Sequence, residues 1–174
     1  MTLSSNEYEK VLAFFTKAIE QEPHKTSYWC DIGFCKGKLG LWQEAADAFE
    51  RVVINDPEDP AALSMLGHSY IKLRRHGDAI KVLEKSLEYR ADNVKVLYKI
   101  SAAQFGLGRL PEAQIPLRKI LKRYPKHIKA NFGLGLVMHY MGEDKEAMQQ
   151  ITTLRSISEE FAERLAAIIR QNND

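Results

Sequence analysis

The residues of this 174-residue chain whose types could do chemistry are few: a serine–lysine pair, five histidines, two cysteines and a set of regularly placed glycines. Ser69 and Lys72 have the spacing of a nucleophile pair in which the amine would take the hydroxyl proton. Both fall inside a helical pattern, where that spacing arises by chance. His24, His68, His76, His127 and His139 stand far from one another in sequence, without the close pair that begins a metal site. Cys30 and Cys35 are five residues apart on one helical segment. Five residues turn about 140° and rise about 7.5 Å, so the two thiols cannot bridge. They read as small apolar packing residues in a reducing compartment. Gly33, Gly37 and Gly40 read as close packing and a turn, not as a phosphate cradle. The expectation is a protein with no catalytic residue, no metal and no cofactor, and not an enzyme.

A second set of residues follows a different logic. The stretch 26–59 is copied along the chain at intervals of 34 residues with no insertion. Leu63, Leu97 and Asn131 fall under Trp29, and Leu66, Ile100 and Leu134 under Ile32. Gly67, Ser101 and Gly135 fall under Gly33; Ala79, Ala113 and Ala147 under Ala45; Leu83, Leu117 and Ile151 under Phe49. Pro23, Pro57 and Pro125 keep the same beat, with Ala91 in the skipped place. Each copy holds two apolar patterns of helical spacing split by a polar or glycine-bearing turn. Small residues in the eighth and twentieth places let two helices approach closely. Two such helices cannot enclose their own apolar face, so each pair must stack on the next.

On this register the chain divides into an N-terminal half-repeat at 1–25, repeats at 26–59, 60–93, 94–127 and 128–157, and a capping helix at 158–174. The first segment is predicted helical over 6–21, with Val11, Leu12 and Phe15 on its apolar side. It reads as the second helix of a repeat, so those three residues are candidates for self-association. Pro60 and Pro111 suit the first turns of their helices. Pro116 lies about five residues inside one and predicts a kink near Glu112–Pro116. Ser156 with Glu159 makes a capping-box pattern, with Ser158 as the other candidate cap. The last helix, over 159–171, puts Phe161, Leu165, Ile168 and Ile169 on one face.

The pattern carried by Trp29, Gly33, Gly40, Ala45, Phe49 and Pro57, by Leu66, Gly67, Tyr70, Ala79 and Leu83, and by their later copies resembles the tetratricopeptide repeat (TPR) family. The resemblance covers residues 26–157. Lys36 and Gln104 depart from it where an aromatic is usual, Ser101 replaces glycine, and Arg74 replaces the turn glycine. It implies an all-α fold, a right-handed superhelical solenoid of antiparallel helix pairs closed by a capping helix. It also implies a concave groove lined from the first helix of each repeat. Carried over residue by residue, the candidate peptide-groove residues are Phe34, Lys38, His68, Ile71, Lys72, Lys95, Tyr98, Phe105, Lys129, Phe132, His139 and Tyr140. They combine lysines with aromatics and include no aspartate or glutamate, which suits a protein or peptide ligand bearing acidic residues and apolar anchors. The carboxylate clamp of chaperone-binding members is incomplete, since Cys30, Phe34 and Met65 occupy three of its positions.

A narrower resemblance, on Ala62-Leu63, Leu66-Gly67, Tyr70, Lys72, Leu83-Glu84, Ser86-Leu87 and the run Ala91 to Val96, is to the TPR family that coats bacterial magnetosome membranes. It implies a self-assembling scaffold, a homo-oligomer that recruits other proteins. Type III secretion chaperones, which hold a client in the same groove, are the alternative. Net charge is +2, with no nucleic-acid signature. No apolar run approaches the roughly 18 residues of a membrane span. The N-terminus lacks a signal-peptide layout. The expected place is the cytoplasm, or the periphery of an organelle membrane reached through partners, without insertion.

Overall fold

The computed structural model describes residues 3–171. Among them are ten helices and no strand. In order they are α1 (Ser5–Gln21), α2 (Thr26–Lys38), α3 (Trp42–Asn55), α4 (Pro60–Lys72), α5 (His76–Tyr89), α6 (Val94–Gly106), α7 (Leu110–Arg123), α8 (Ile128–Tyr140), α9 (Asp144–Arg155) and α10 (Glu159–Gln171). The chain forms two compact units, Met1–Val96 and Leu97–Asp174.

In the first unit α2 packs on α3, α4 on α5, α1 on α2, and α3 on α4. The core is built from the expected small positions. Ala45 and Ala79 are fully buried, and so is Leu83. Close approach is enforced at the glycines. A Cβ on Gly33 would lie 2.9 Å from the Phe49 ring, and one on Gly67 would lie 2.5 Å from Leu83 Cγ. Each glycine thus receives a large side chain from the second helix of its own pair, and that side chain fills the space a methyl would need.

In the second unit α7 packs on α8, α8 on α9, and α10 on both α8 and α9. Ala113 and Ala147 are fully buried, as are Leu117, Leu154 and Leu165. Gly135 is filled differently from Gly67: its missing methyl faces Leu165 of α10. The last helix therefore seals α8 with its apolar side while Glu159, Glu160, Glu163 and Arg170 stay exposed.

The turn after the first helix needs a left-handed residue. Gly40, Gly108 and Gly142 supply it with φ of 79°, 71° and 79°, and Arg74 takes the same conformation with φ of 61°. An arginine pays a steric cost there that glycine does not.

Helix ends bring two differences from expectation. Ser156 does not open the last helix. Its hydroxyl donates to the Thr153 carbonyl at 2.7 Å, and it is the C-cap of α9, so the capping box with Glu159 is not formed. A capping box does form where none was predicted. Ser4 accepts from the Glu7 amide at 3.4 Å, and the Ser4 amide donates to Glu7 Oε2 at 2.6 Å. The hydrogen bonds hold the Glu7 carboxyl below its ordinary range. The helix with Pro116 runs unbroken from Leu110 to Arg123, with the proline ring buried.

The side chain under the closing proline also has a repeated task. Trp29 Nε1 donates to the Pro23 carbonyl at 3.2 Å, and Asn131 Nδ2 donates to the Pro125 carbonyl at 2.9 Å. Both serve the carbonyl of the proline six residues earlier, so Asn131 replaces an aromatic without leaving its buried amide unpaired.

Gly67→Ala is expected to destabilise the protein by about 1–2 kcal/mol, because the overpacking against Leu83 exceeds the gain in helix propensity. Gly77, with nothing near its missing Cβ, is the control: Gly77→Ala should stabilise by about 0.5 kcal/mol. Arg74→Gly should also stabilise, by about 0.5 kcal/mol or more, as relief of left-handed strain outweighs the added freedom of the unfolded chain. Urea denaturation midpoints of the three variants measure all of these.

Candidate functional site

Two small clefts of about the same size lie one in each unit. In the first, Gly33, Phe34, Gly37 and Lys38 of α2, Trp42 and Phe49 of α3, and Met65, His68 and Ser69 of α4 enclose about 160 Å³. In the second, Tyr98, Ser101, Ala102 and Phe105 of α6 and Gly133, Leu136 and Val137 of α8 enclose about 140 Å³. The two occupy the same register two copies apart: Gly33 corresponds to Ser101, Gly37 to Phe105, Met65 to Gly133, and His68 to Leu136. Neither lining contains a carboxylate.

The first cleft is cationic and aromatic. Lys38 Nζ lies 5.2 Å from the Phe34 ring centroid, and Lys72 Nζ lies 5.5 Å from that of Trp42. The Trp42 ring meets His68 edge-on at 5.5 Å. The same contact occurs one copy earlier, where Tyr8 of α1 meets Phe34 at 6.2 Å. An aromatic in the first turn of the second helix thus leans on the next first helix, and the lysine one turn beyond covers a ring. Ammonium groups over ring faces are attracted by the ring quadrupole while their stems lie along apolar surface.

The second cleft is uncharged. Phe105 meets Tyr140 edge-on at 5.3 Å. Burial raises the Tyr98 phenol above its usual range, opposed by the charge of Arg164. Arg164 of α10 lies 5.4 Å from both the Phe132 and Phe161 centroids, and these rings meet edge-on at 5.6 Å.

The candidates from sequence therefore separate. Phe34, Lys38 and His68 line the first cleft, with Lys72 at the Trp42 face; Tyr98 and Phe105 line the second, with Tyr140 against Phe105. Phe132 turns to α10. Ile71, Lys95 and Lys129 are not among the residues lining either cleft; Lys95 and Lys129 are exposed, and Ile71 is half-buried. His139 is only 9 % exposed, and its Nδ1 sits 2.9 Å from Asp144 Oδ1 at the start of α9. That residue helps join α8 to α9 instead of facing a ligand.

Trp42 and Arg164 escaped the sequence reading. Trp42 could have been found, because Tyr8 precedes it by one period. Arg164 could not, since its helix departs from the register. Val11, Leu12 and Phe15 are half-buried; Phe15 rests on the Tyr28 ring at 5.7 Å. No residue of α1 is buried, and the more exposed apolar group is Phe14, at 66 %.

The groups with catalytic potential are otherwise occupied. The Ser69 hydroxyl donates to the Met65 carbonyl at 3.1 Å and is buried. Cys30 and Cys35 are free thiols, each raised above the ordinary range by burial and then by nearby carboxylates, which makes them poor nucleophiles. Among the described residues no group of three His, Cys, Asp or Glu could hold a metal ion, and no helix is long and apolar enough to cross a membrane.

Behind the first cleft, Tyr70 is 7 % exposed and its hydroxyl donates to Glu50 Oε1 at 2.7 Å. Burial, then this hydrogen bond, push its phenol up to about 12.

The family model described as tetratricopeptide repeat matches residues 36–93 and 64–128. Superkiller complex protein 3 of Homo sapiens is 24 % identical over 137 residues, 78 % of this chain and 9 % of that protein. Small glutamine-rich tetratricopeptide repeat-containing protein 2 of Mycosarcoma maydis is 28 % identical over 101 residues, 58 % of this chain and 28 % of its own length. The chain thus spans a small part of the curated relatives it matches. Among solved structures, MamA superposes with a TM-score of 0.83 at 18 % identity, covering 91 % of this chain and 92 % of that one. MamA from Desulfovibrio magneticus RS-1 gives 0.83 at 20 % identity, covering 88 % and 86 %. YrrB, described as a TPR protein with an unusual peptide-binding site, gives 0.80 at 22 % identity, covering 93 % and 84 %. At these identities the likeness is one of fold, the all-α TPR solenoid.

The raised tyrosine has a measurable consequence. An unfolded phenol ionises near pH 10. The folded state holds its proton longer, so the contribution of Tyr70 is complete below about pH 10 and is lost as pH rises toward about 12. Thermal melts should fall more steeply across that window for the wild type than for Tyr70→Phe, which has no proton to lose.

Proposed function

Because the chain belongs to the tetratricopeptide repeat family, whose repeats mediate protein–protein interaction, we propose that it is a non-catalytic scaffold that binds extended partner segments in its clefts. The observation that carries this reading is the pair of clefts at one register position, both without a carboxylate in their linings. Lysines over aromatic faces suit an acidic side chain flanked by an apolar one in the first cleft. The second suits an uncharged apolar anchor. The likeness to YrrB supports a peptide as ligand, since that protein is described by its peptide-binding site.

Self-assembly belongs to the same proposal. Positions that α3 buries as Ala45, Ala46, Ala48, Phe49 and Val52 are occupied in α1 by Val11, Leu12, Phe14, Phe15 and Ala18, none of them buried. That apolar surface supports a homo-oligomeric scaffold, with the periphery of a magnetosome membrane as its place, as the narrower sequence resemblance implies.

A fluorescein-labelled peptide alternating glutamate with leucine and phenylalanine tests the cleft. Lys38→Glu with Lys72→Glu should weaken its binding at least about tenfold, given two charge contacts worth about 1 kcal/mol each, with helical content kept. Unchanged affinity would sink the cationic cleft. Light scattering of Phe14→Asp against the wild type tests assembly: an equal mass for both removes α1 from it.

A further inference from the structure

Between Glu112 and Glu143 the chain holds six lysines and arginines and no aspartate or glutamate. This stretch covers most of α7, the turn that follows, and all of α8. Helix α7 buries Ala113, Pro116, Leu117 and Ile120. Its opposite stripe, at i, i+3, i+4 and i+7, is Ile115, Arg118, Lys119 and Lys122, all exposed. Ile115, in that stripe, is 64 % exposed. Arg123, Tyr124 and Lys126 continue the surface into the turn, where Tyr124 is 44 % exposed and Arg123 lies 5.6 Å from its ring centroid.

The periodic sequence supplies its own control. One copy earlier the same stations on α5 are Lys81, Glu84, Lys85 and Glu88. Two copies earlier, on α3, they are Asp47, Glu50, Arg51 and Ile54; one copy later, on α9, they are Gln149, Thr152, Thr153 and Ser156. Helices with the same packing role carry mixed or neutral stripes, so the fold does not ask for an all-basic one. Like charges at i, i+3 and i+4 oppose the helix slightly. A surface of this sign complements an anionic one.

We propose that the exposed stripe of α7 and the α7–α8 turn dock on an anionic lipid bilayer surface. Long basic side chains can lay their stems along the surface and reach headgroup phosphates. An exposed isoleucine among them gains nothing from a nucleic-acid backbone, but it can bury at the headgroup–acyl boundary. This surface is separate from the two clefts and does not depend on what they bind.

Sedimentation of the full chain with phosphatidylcholine vesicles, with and without phosphatidylserine, at low and physiological salt, tests the proposal. Pelleting is expected only with phosphatidylserine and should weaken as salt rises. Lys119→Gln, Lys122→Gln and Lys126→Gln together should lower partitioning about a hundredfold, at roughly fivefold per basic side chain. Ile115→Ser should lower it about tenfold. Lys81→Gln with Lys85→Gln on α5 should leave it unchanged, and so should Lys38→Glu with Lys72→Glu in the first cleft. All these positions but Lys85 are exposed, and circular dichroism melts confirm that each variant is folded. Pelleting with phosphatidylcholine alone, no pelleting, or a triple variant that still pellets would overturn the proposal. So would a duplex oligonucleotide that displaces the vesicles from the wild type.

Discussion

The fold depends on a steric constraint: α2 and α4 come so near their partners that one place on each leaves no room for a side chain. At Gly33 and Gly67 that place is filled by Phe49 and Leu83. The large residue and the missing residue are two halves of one contact. Neither helix could bury its apolar stripe alone, since a pair of this length has one side covered and the other open. Closeness at the glycine brings the alanines at the twentieth place to full burial, and those alanines set the distance between helices. Where the register ends, Leu165 enters from α10 at Gly135. The requirement is to fill the space, and the source of the filling can change.

This constraint explains what could be read without coordinates. Spacing of small and large apolar residues fixes which face is buried, so helix positions from α2 to α9 follow from the period. Events at helix ends are harder, because a serine near a boundary can serve either side. Ser156 has a glutamate three residues later, yet its hydroxyl donates to the Thr153 carbonyl, which also accepts its backbone amide. Ser4 meets the same choice and caps α1, since no helix ends before it among the described residues. His139 is a further instance. Its register place points to a ligand-facing surface, but Asp144 begins the next helix five residues on and its carboxylate takes the imidazole Nδ1 at 2.9 Å.

The clefts were legible in part for a related reason. First-helix positions were carried over from the repeat pattern, and Phe34, Lys38, His68, Tyr98 and Phe105 indeed line cavities. The second helix also contributes. Trp42 closes the first cleft from its own first turn, and Tyr8 repeats the contact on Phe34. A reading confined to one helix of each pair misses this wall. Lys72 shows the same effect: its partner ring belongs to α3, and no spacing within α4 announces it.

Period also separates what packing needs from what it tolerates. A position that holds the same kind of residue in every copy is explained by burial, as Ala45, Ala79, Ala113 and Ala147 are. A position that changes character between copies has been released from that duty. Gly33 and Ser101 differ little in size, so both clefts survive; His68 and Leu136 differ in polarity, so the clefts differ in what they can hold. The outer stripe follows the same rule with charge instead of shape. It is mixed on α3 and α5 and neutral on α9, and on α7 its charged residues are all basic. Solvent alone would accept any of these arrangements, but only an anionic surface would gain from the last. In a chain built by copying, the differences between copies therefore carry the functional information, while the similarities carry the fold.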